Sequence, residues 1–169
     1  VAIFRSLPKL TILGAALLAA VVVAACNSST PTVAPTTTPS VPAKVGAEVT
    51  LAPVVKGRVM TLKVTVAGTI VVPLGADDQQ PLPVGTGFVD LSLGSDYSFG
   101  DGSEPGGADG GGVTCQGAKK QHTGTQTYEP ADPHTYAKAG TYTFTYKIDF
   151  CGGGKGEFSV TKTAKIVIA

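Results

Sequence analysis

The chain has 169 residues, with 22 Gly, 12 Pro, no Trp and 15% charged residues. That length admits one domain of ordinary size plus extensions, and the glycine and proline content suits a turn-rich β protein better than a helical one. Formal net charge is +1, but Arg5 and Lys9 lie in the first ten residues, and without them 11 basic residues face 12 acidic ones, which excludes the basic footprint of a nucleic-acid-binding domain.

Arg5 and Lys9 lead into residues 10–25, sixteen positions without a charge. A membrane-spanning helix needs about 20 apolar residues, so the run is short for a span and right for the apolar region of a secretory signal. It closes on Val23, Ala24, Ala25 and Cys26. This resembles the bacterial lipobox, an aliphatic residue and two small ones before a cysteine; a plain secretory signal and an uncleaved anchor are the competing readings. The resemblance implies a lipoprotein signal peptide over residues 1–25, cleavage before Cys26, and diacylation of the Cys26 thiol with palmitate-type chains. Two acyl chains suffice for stable membrane attachment where one is marginal. The expected location is the extracytoplasmic face of a cell membrane, held by the lipid.

Residues 27–44 are Ser, Thr or Pro at twelve of eighteen positions. Such a segment buries too little apolar surface to offset its ordering entropy, and spaced prolines favour an extended chain of about 3.1 Å per residue. Residues 26–45 therefore read as the lipidated cysteine and a disordered linker, and residues 46–169 as the exported domain. With Cys26 assigned to lipid, Cys115 and Cys151 remain of three cysteines. Disulfides persist outside the cytoplasm, so these two are expected to pair. A structural zinc site needs about four ligands at close spacing; the chain has two His, His122 and His134, and no C-x-x-C.

Within the domain, Met60, Leu62, Val64 and Val66 form a period-two stripe against Thr61, Lys63 and Thr65. Residues 69–72 are a continuous run suited to a central strand, and Val89, Leu91 and Leu93 form a shorter stripe. Residues 73–87 and 100–112 read as loops. In 141–150, Tyr142, Phe144, Tyr146, Ile148 and Phe150 alternate strictly with Thr141, Thr143, Thr145, Lys147 and Asp149, the pattern of a strand with one face buried. Phe158, Val160, Ala164, Ile166 and Ile168 repeat it, with Lys162 breaking the stripe. Short half-buried strands between turn signals point to an all-β fold, an immunoglobulin-like β-sandwich. By parity, Cys151 falls on the outward side of its strand with Asp149, so the expected disulfide fastens a long loop to the surface or end of the sandwich rather than crossing its core.

Two ordered motifs carry a family resemblance. Tyr97-Ser98-Phe99-Gly100-Asp101-Gly102-Ser103 is followed by His134-Thr135-Tyr136 and then Gly140-Thr141-Tyr142. This resembles the PKD (polycystic kidney disease repeat) domain, most closely over residues 97–150, with Tyr97 where the family has Trp and Ser98 where it has Asp. The resemblance implies an immunoglobulin-like sandwich of an extracellular, non-enzymatic protein, a spacer or interaction module. Physically, Gly100 and Gly102 are suited to positive φ or close approach, and Asp101 to bonding amides within the turn. Phe99 is expected in the core, Gly140 in the turn entering the Tyr142 strand, and the hydroxyls of Tyr136 and Tyr142 on backbone groups. His134 reads as a turn residue rather than a base, and His122 as exposed in a polar loop.

No motif of hydrolase, metalloprotease or nucleotide-binding type is present, so no catalytic residue, cofactor or metal is assigned. Residues 106–112 are glycine-rich and read as a flexible loop. Asp77, Asp78, Asp96, Asp101 and Asp109 fall in predicted loops without a calcium-loop run. The loop 104–133, with Tyr128, Lys119, Lys120 and Gln121, is the candidate contact surface. The expected function is a membrane-anchored spacer or adhesion module for a protein or polysaccharide; the alternative is an accessory docking subunit of a cell-envelope complex.

Overall fold

The structure, a computed structural model, describes residues 44–152 and 156–169. The expected signal peptide, Cys26 and linker residues 27–43 lie outside the described residues. Ten strands form the domain: β1 (Gly46–Lys56), β2 (Val59–Val71), β3 (Leu74–Gly75), β4 (Gly94–Ser98), β5 (Gly106–Asp109), β6 (Val113–Thr114), β7 (Gln121–Tyr128), β8 (His134–Thr135), β9 (Gly140–Cys151) and β10 (Glu157–Ile168). The described residues are all-β, with antiparallel pairing throughout and a single 3-10 turn at Val89–Leu91.

β2 and β9 organise the rest. β2 pairs with β1 on one side and with β7 and β8 on the other. β9 pairs with β10 on one side and on the other with β4, which in turn pairs with β5. The two ladders meet at one bridge, Val71 opposite Cys151. Period-two stripes decide which face each ladder turns inward. Met60, Leu62, Val64, Val66 and Ile70 of β2 are buried, as are Phe144, Tyr146, Ile148 and Phe150 of β9, and they form one core with Val49, Leu91, Ile166 and Ile168. Each such side chain contributes about 1.5–3 kcal/mol on burial. A one-residue slip would turn a whole stripe to water, so the stripes also fix the register.

Several expectations change. The run 69–72 is not a separate strand but the end of β2 and the residue after it. Val89 and Leu91 lie in the 3-10 turn, because Phe88 and Leu91, three apart, are the buried pair there; over three residues a period of two does not separate the alternatives. The 100–112 loop contains β5, so the glycine-rich stretch is partly a strand, paired with β4. Gly107 is required there, since a Cβ on it would lie 2.3 Å from the Ser95 carbonyl. The 104–133 loop contains β5, β6 and β7. His122 is half-buried in β7, its ring 6.0 Å from that of Phe88, rather than exposed in a loop. Lys162 interrupts the apolar stripe of β10 as expected, exposed opposite Tyr146, while the strand runs on through it.

The two cysteines pair as expected, Cys115 to Cys151. Cys151, however, is fully buried rather than on a wet face. The β3–β6 ladder and the turn closed by Ala118 N–H to the Cys115 carbonyl (3.2 Å) bring Cys115 over it, at the end where the two ladders meet. Inside the domain the hydroxyls of Tyr128 and Tyr146 bond each other, and burial pushes both above the ordinary tyrosine value, Tyr146 well above it. The cystine closes a separation of 36 residues, for which loss of unfolded-chain entropy corresponds to roughly 3–4 kcal/mol. Replacing both cysteines with alanine is expected to lower unfolding free energy by about that amount in a denaturant titration; a loss below about 1 kcal/mol would show that the junction holds without it.

Candidate functional site

The two motifs meet at the end of the domain opposite the cystine. The first follows β4, which belongs to the β9 ladder; the second begins with β8, which belongs to the β2 ladder. Gly100 has φ 76° and Gly102 φ 86°, the left-handed region that a side chain disfavours. Gly100 is doubly constrained, since a Cβ on it would lie 2.3 Å from the Thr143 carbonyl oxygen of β9.

This turn presents Asp101. Its Oδ1 accepts from Ser103 N–H at 3.0 Å and Ser103 Oγ at 2.6 Å, and its Oδ2 accepts from His134 Nε2 at 2.7 Å. The Asp101 and His134 side chains are 12% and 16% exposed. The Ser103 hydroxyl foremost, with the His134 and Ser103 N–H groups, holds the Asp101 carboxyl at about 2, below its ordinary 3.8, against burial, whose opposing effect is second only to that of the Ser103 hydroxyl. The His134 ring stacks on Phe99 at 3.8 Å and 6° and meets Tyr136 edge-on at 4.7 Å. Tyr136 is fully buried; its hydroxyl donates to the Phe99 carbonyl at 3.3 Å, with Met60 Sδ 3.9 Å away. Its ring stacks on Tyr142 at 4.4 Å, and Tyr142 donates to the Lys138 carbonyl at 2.9 Å. Tyr97 packs edge-on against Phe99 at 5.5 Å.

The structure thus brings together Tyr97, Phe99, Gly100, Asp101, Gly102, His134, Tyr136 and Tyr142. Gly140 begins β9 opposite Ile168, directly after the bend at 137–139 and without a positive φ, and a Cβ on it would lie 3.4 Å from the Tyr142 ring. The Asp101–His134 bond is the contact that the sequence reading missed, although both residues stood in the motifs. Of the candidate contact residues, Lys119, Lys120 and Gln121 are exposed, while Tyr128 turns inward to Tyr146 and is not available to a ligand in the way expected.

The aspartates considered for calcium do not all converge: Asp96 and Asp109 line one hollow with Asp149, and the others lie apart. Asp101 lies beyond the Ser98 end of β4, while Asp77 and Asp78 follow β3 beyond the far end of β2. Among the described residues no group of three His, Cys, Asp or Glu side chains is placed to hold a metal ion. A hollow of about 450 Å³ is lined by Tyr97 and residues 129–133. No family model, no curated protein and no solved structure matches the chain.

Chemically the cluster behaves as a clasp: every polar atom of Asp101, His134 Nε2 and the Tyr136 hydroxyl is engaged by another part of the same domain. A carboxylate with a lowered pKa adds stability above its unfolded value, and that stability is lost as pH falls through the folded one. The window here runs from 3.8 down to about 2. Thermal melts of the wild type are expected to lose stability across that window, and Asp101→Asn to flatten the loss while costing about 1.5–3 kcal/mol at neutral pH. An unchanged acid slope in the variant would remove Asp101 from the account.

Proposed function

We propose that the protein is a lipid-anchored, extracytoplasmic lipoprotein whose domain, residues 46–169, is an immunoglobulin-like sandwich of PKD type. It serves as a non-catalytic spacer or adhesion module for a protein or polysaccharide. The observation that carries this reading is the clasp. The residues of the resemblance, from Phe99 to Tyr142, are spent on one another and on backbone carbonyls, as folding devices are, rather than gathered around an open reactive centre. The two ladders turning their apolar stripes to one core support the sandwich, and a buried cystine suits an oxidising compartment. The anchor rests on the sequence at Val23 to Cys26 and on the linker that follows.

The anchor and the module are tested separately. Expressed in a bacterium with lipoprotein processing, the wild type is expected to incorporate labelled palmitate and sediment with membranes, and Cys26→Ser to lose both; a Cys26→Ser protein that still partitions with membranes contradicts the lipid anchor. For the module, the full chain extracted in detergent is mixed with isolated cell-wall polymers. Saturable co-sedimentation supports adhesion. Absence of binding together with a stoichiometric envelope protein in the extract would replace the adhesion reading with a docking subunit.

A further inference from the structure

Among the described residues β1, β10 and β7 each pair on one side only, and the free edge of β7 is the one without a charge or proline along its length. Val72 N–H donates to the Lys120 carbonyl at 2.7 Å, one step beyond the β2–β7 pairing. In an antiparallel ladder hydrogen-bonded pairs alternate with non-bonded ones, so the even residues of β7 turn their backbone groups to β2. The N–H and C=O groups of Gln121, Thr123, Thr125 and Thr127 face the other way, and no backbone group among the described residues bonds to them.

Exposed edges invite pairing with another chain, and soluble proteins guard them with charge, proline, bulges or short length. β10 carries Lys162 and Lys165, β1 carries Glu48, Pro53 and Lys56, and β5 has four residues. β7 has eight residues, QHTGTQTY, with no Lys, Arg, Asp, Glu or Pro and an unbroken register against β2. Charges stand only beyond its two ends, Lys119 and Lys120 before it and Glu129 after it, all exposed.

We propose that two copies of this chain join edge to edge through β7, antiparallel about a two-fold axis at Gly124. Such an axis, perpendicular to the sheet, keeps odd residues on the outer face in both copies. It sets Thr123 opposite the second copy's Thr125, Gln121 opposite Thr127, and Lys119 opposite Glu129. The charges therefore close both ends of a neutral seam, and opposite charges across a strand pair stabilise it. Moving the axis one residue, to Thr125, would set Gln121 against Glu129 and leave Lys119 without a partner. The threonine pairs repeat chemistry already used inside the domain, where Thr65 bonds Thr127 and Thr69 bonds Thr123, each at 2.7 Å. At the axis Gly124 carries no side chain, and its inner side is filled by Phe88.

The test is sedimentation equilibrium of the full chain in density-matched detergent over a concentration series. The wild type is expected to show a reversible monomer–dimer equilibrium. Lys119→Glu should weaken it by about tenfold or more, since both seams then oppose like charges, and adding Glu129→Lys in the same chain should restore it. Thr125→Pro should be monomeric throughout with a wild-type melt, because the N–H it removes faces away from β2. A wild type that stays monomeric overturns the proposal, as does a dimer that survives Thr125→Pro. A dimer indifferent to Lys119→Glu, or one that Glu129→Lys fails to restore, overturns the register.

Discussion

The carboxylate of Asp101 joins stretches of chain 33 residues apart, and the arrangement of the two ladders depends on that join. β8 extends the β2 ladder and Asp101 follows β4 of the β9 ladder, so the bond to His134 links the two ladders rather than reinforcing either one. Tyr136 repeats the crossing from below, its hydroxyl on the Phe99 carbonyl and its ring against Tyr142. At the opposite end the same two ladders meet at Val71 and Cys151, beside the cystine. Between these ends the apolar stripes supply most of the stabilisation, but they carry no information about how one ladder is aligned over the other. The clasp and the cystine do.

That division explains which parts were readable from sequence. Strands with one buried face declare themselves, because Met60 to Val66 and Tyr142 to Phe150 alternate against threonine and lysine. β7 does not, because its inner positions are His122, Gly124, Gln126 and Tyr128. These face Phe88, the Gln126 bond to Val89 N–H (2.7 Å) and the Tyr146 hydroxyl, a polar and locally open part of the interior. β5 is hidden for a different reason. Gly107 is demanded by close approach of the Ser95 carbonyl of β4 and Gly106 lies under the Tyr97 ring, and a run of glycines looks like a loop when the approaching strand is unknown.

The candidate site was legible residue by residue and illegible as an assembly. The positive φ of Gly100 and Gly102, the Asx-type bond from Ser103 and the hydroxyl partner of Tyr142 are local consequences of residue type. The stacking of His134 on Phe99 and its bond to Asp101 are long-range, and only the meeting of the two ladders produces them. Parity likewise placed Cys151 correctly on its strand and wrongly in water, because parity assigns a face but not what folds over it.

The central claim is that Asp101 and His134 act as one structural unit across the two ladders. A double-mutant cycle on the full chain tests it most directly: unfolding free energies of the wild type, Asp101→Ala, His134→Ala and the double variant, measured by denaturant titration at neutral pH. The account predicts a coupling of roughly 1 kcal/mol or more, with the double variant little worse than either single one. Additive losses, with coupling indistinguishable from zero, would mean that the two side chains are neighbours without being partners, and the clasp would have to be assigned elsewhere.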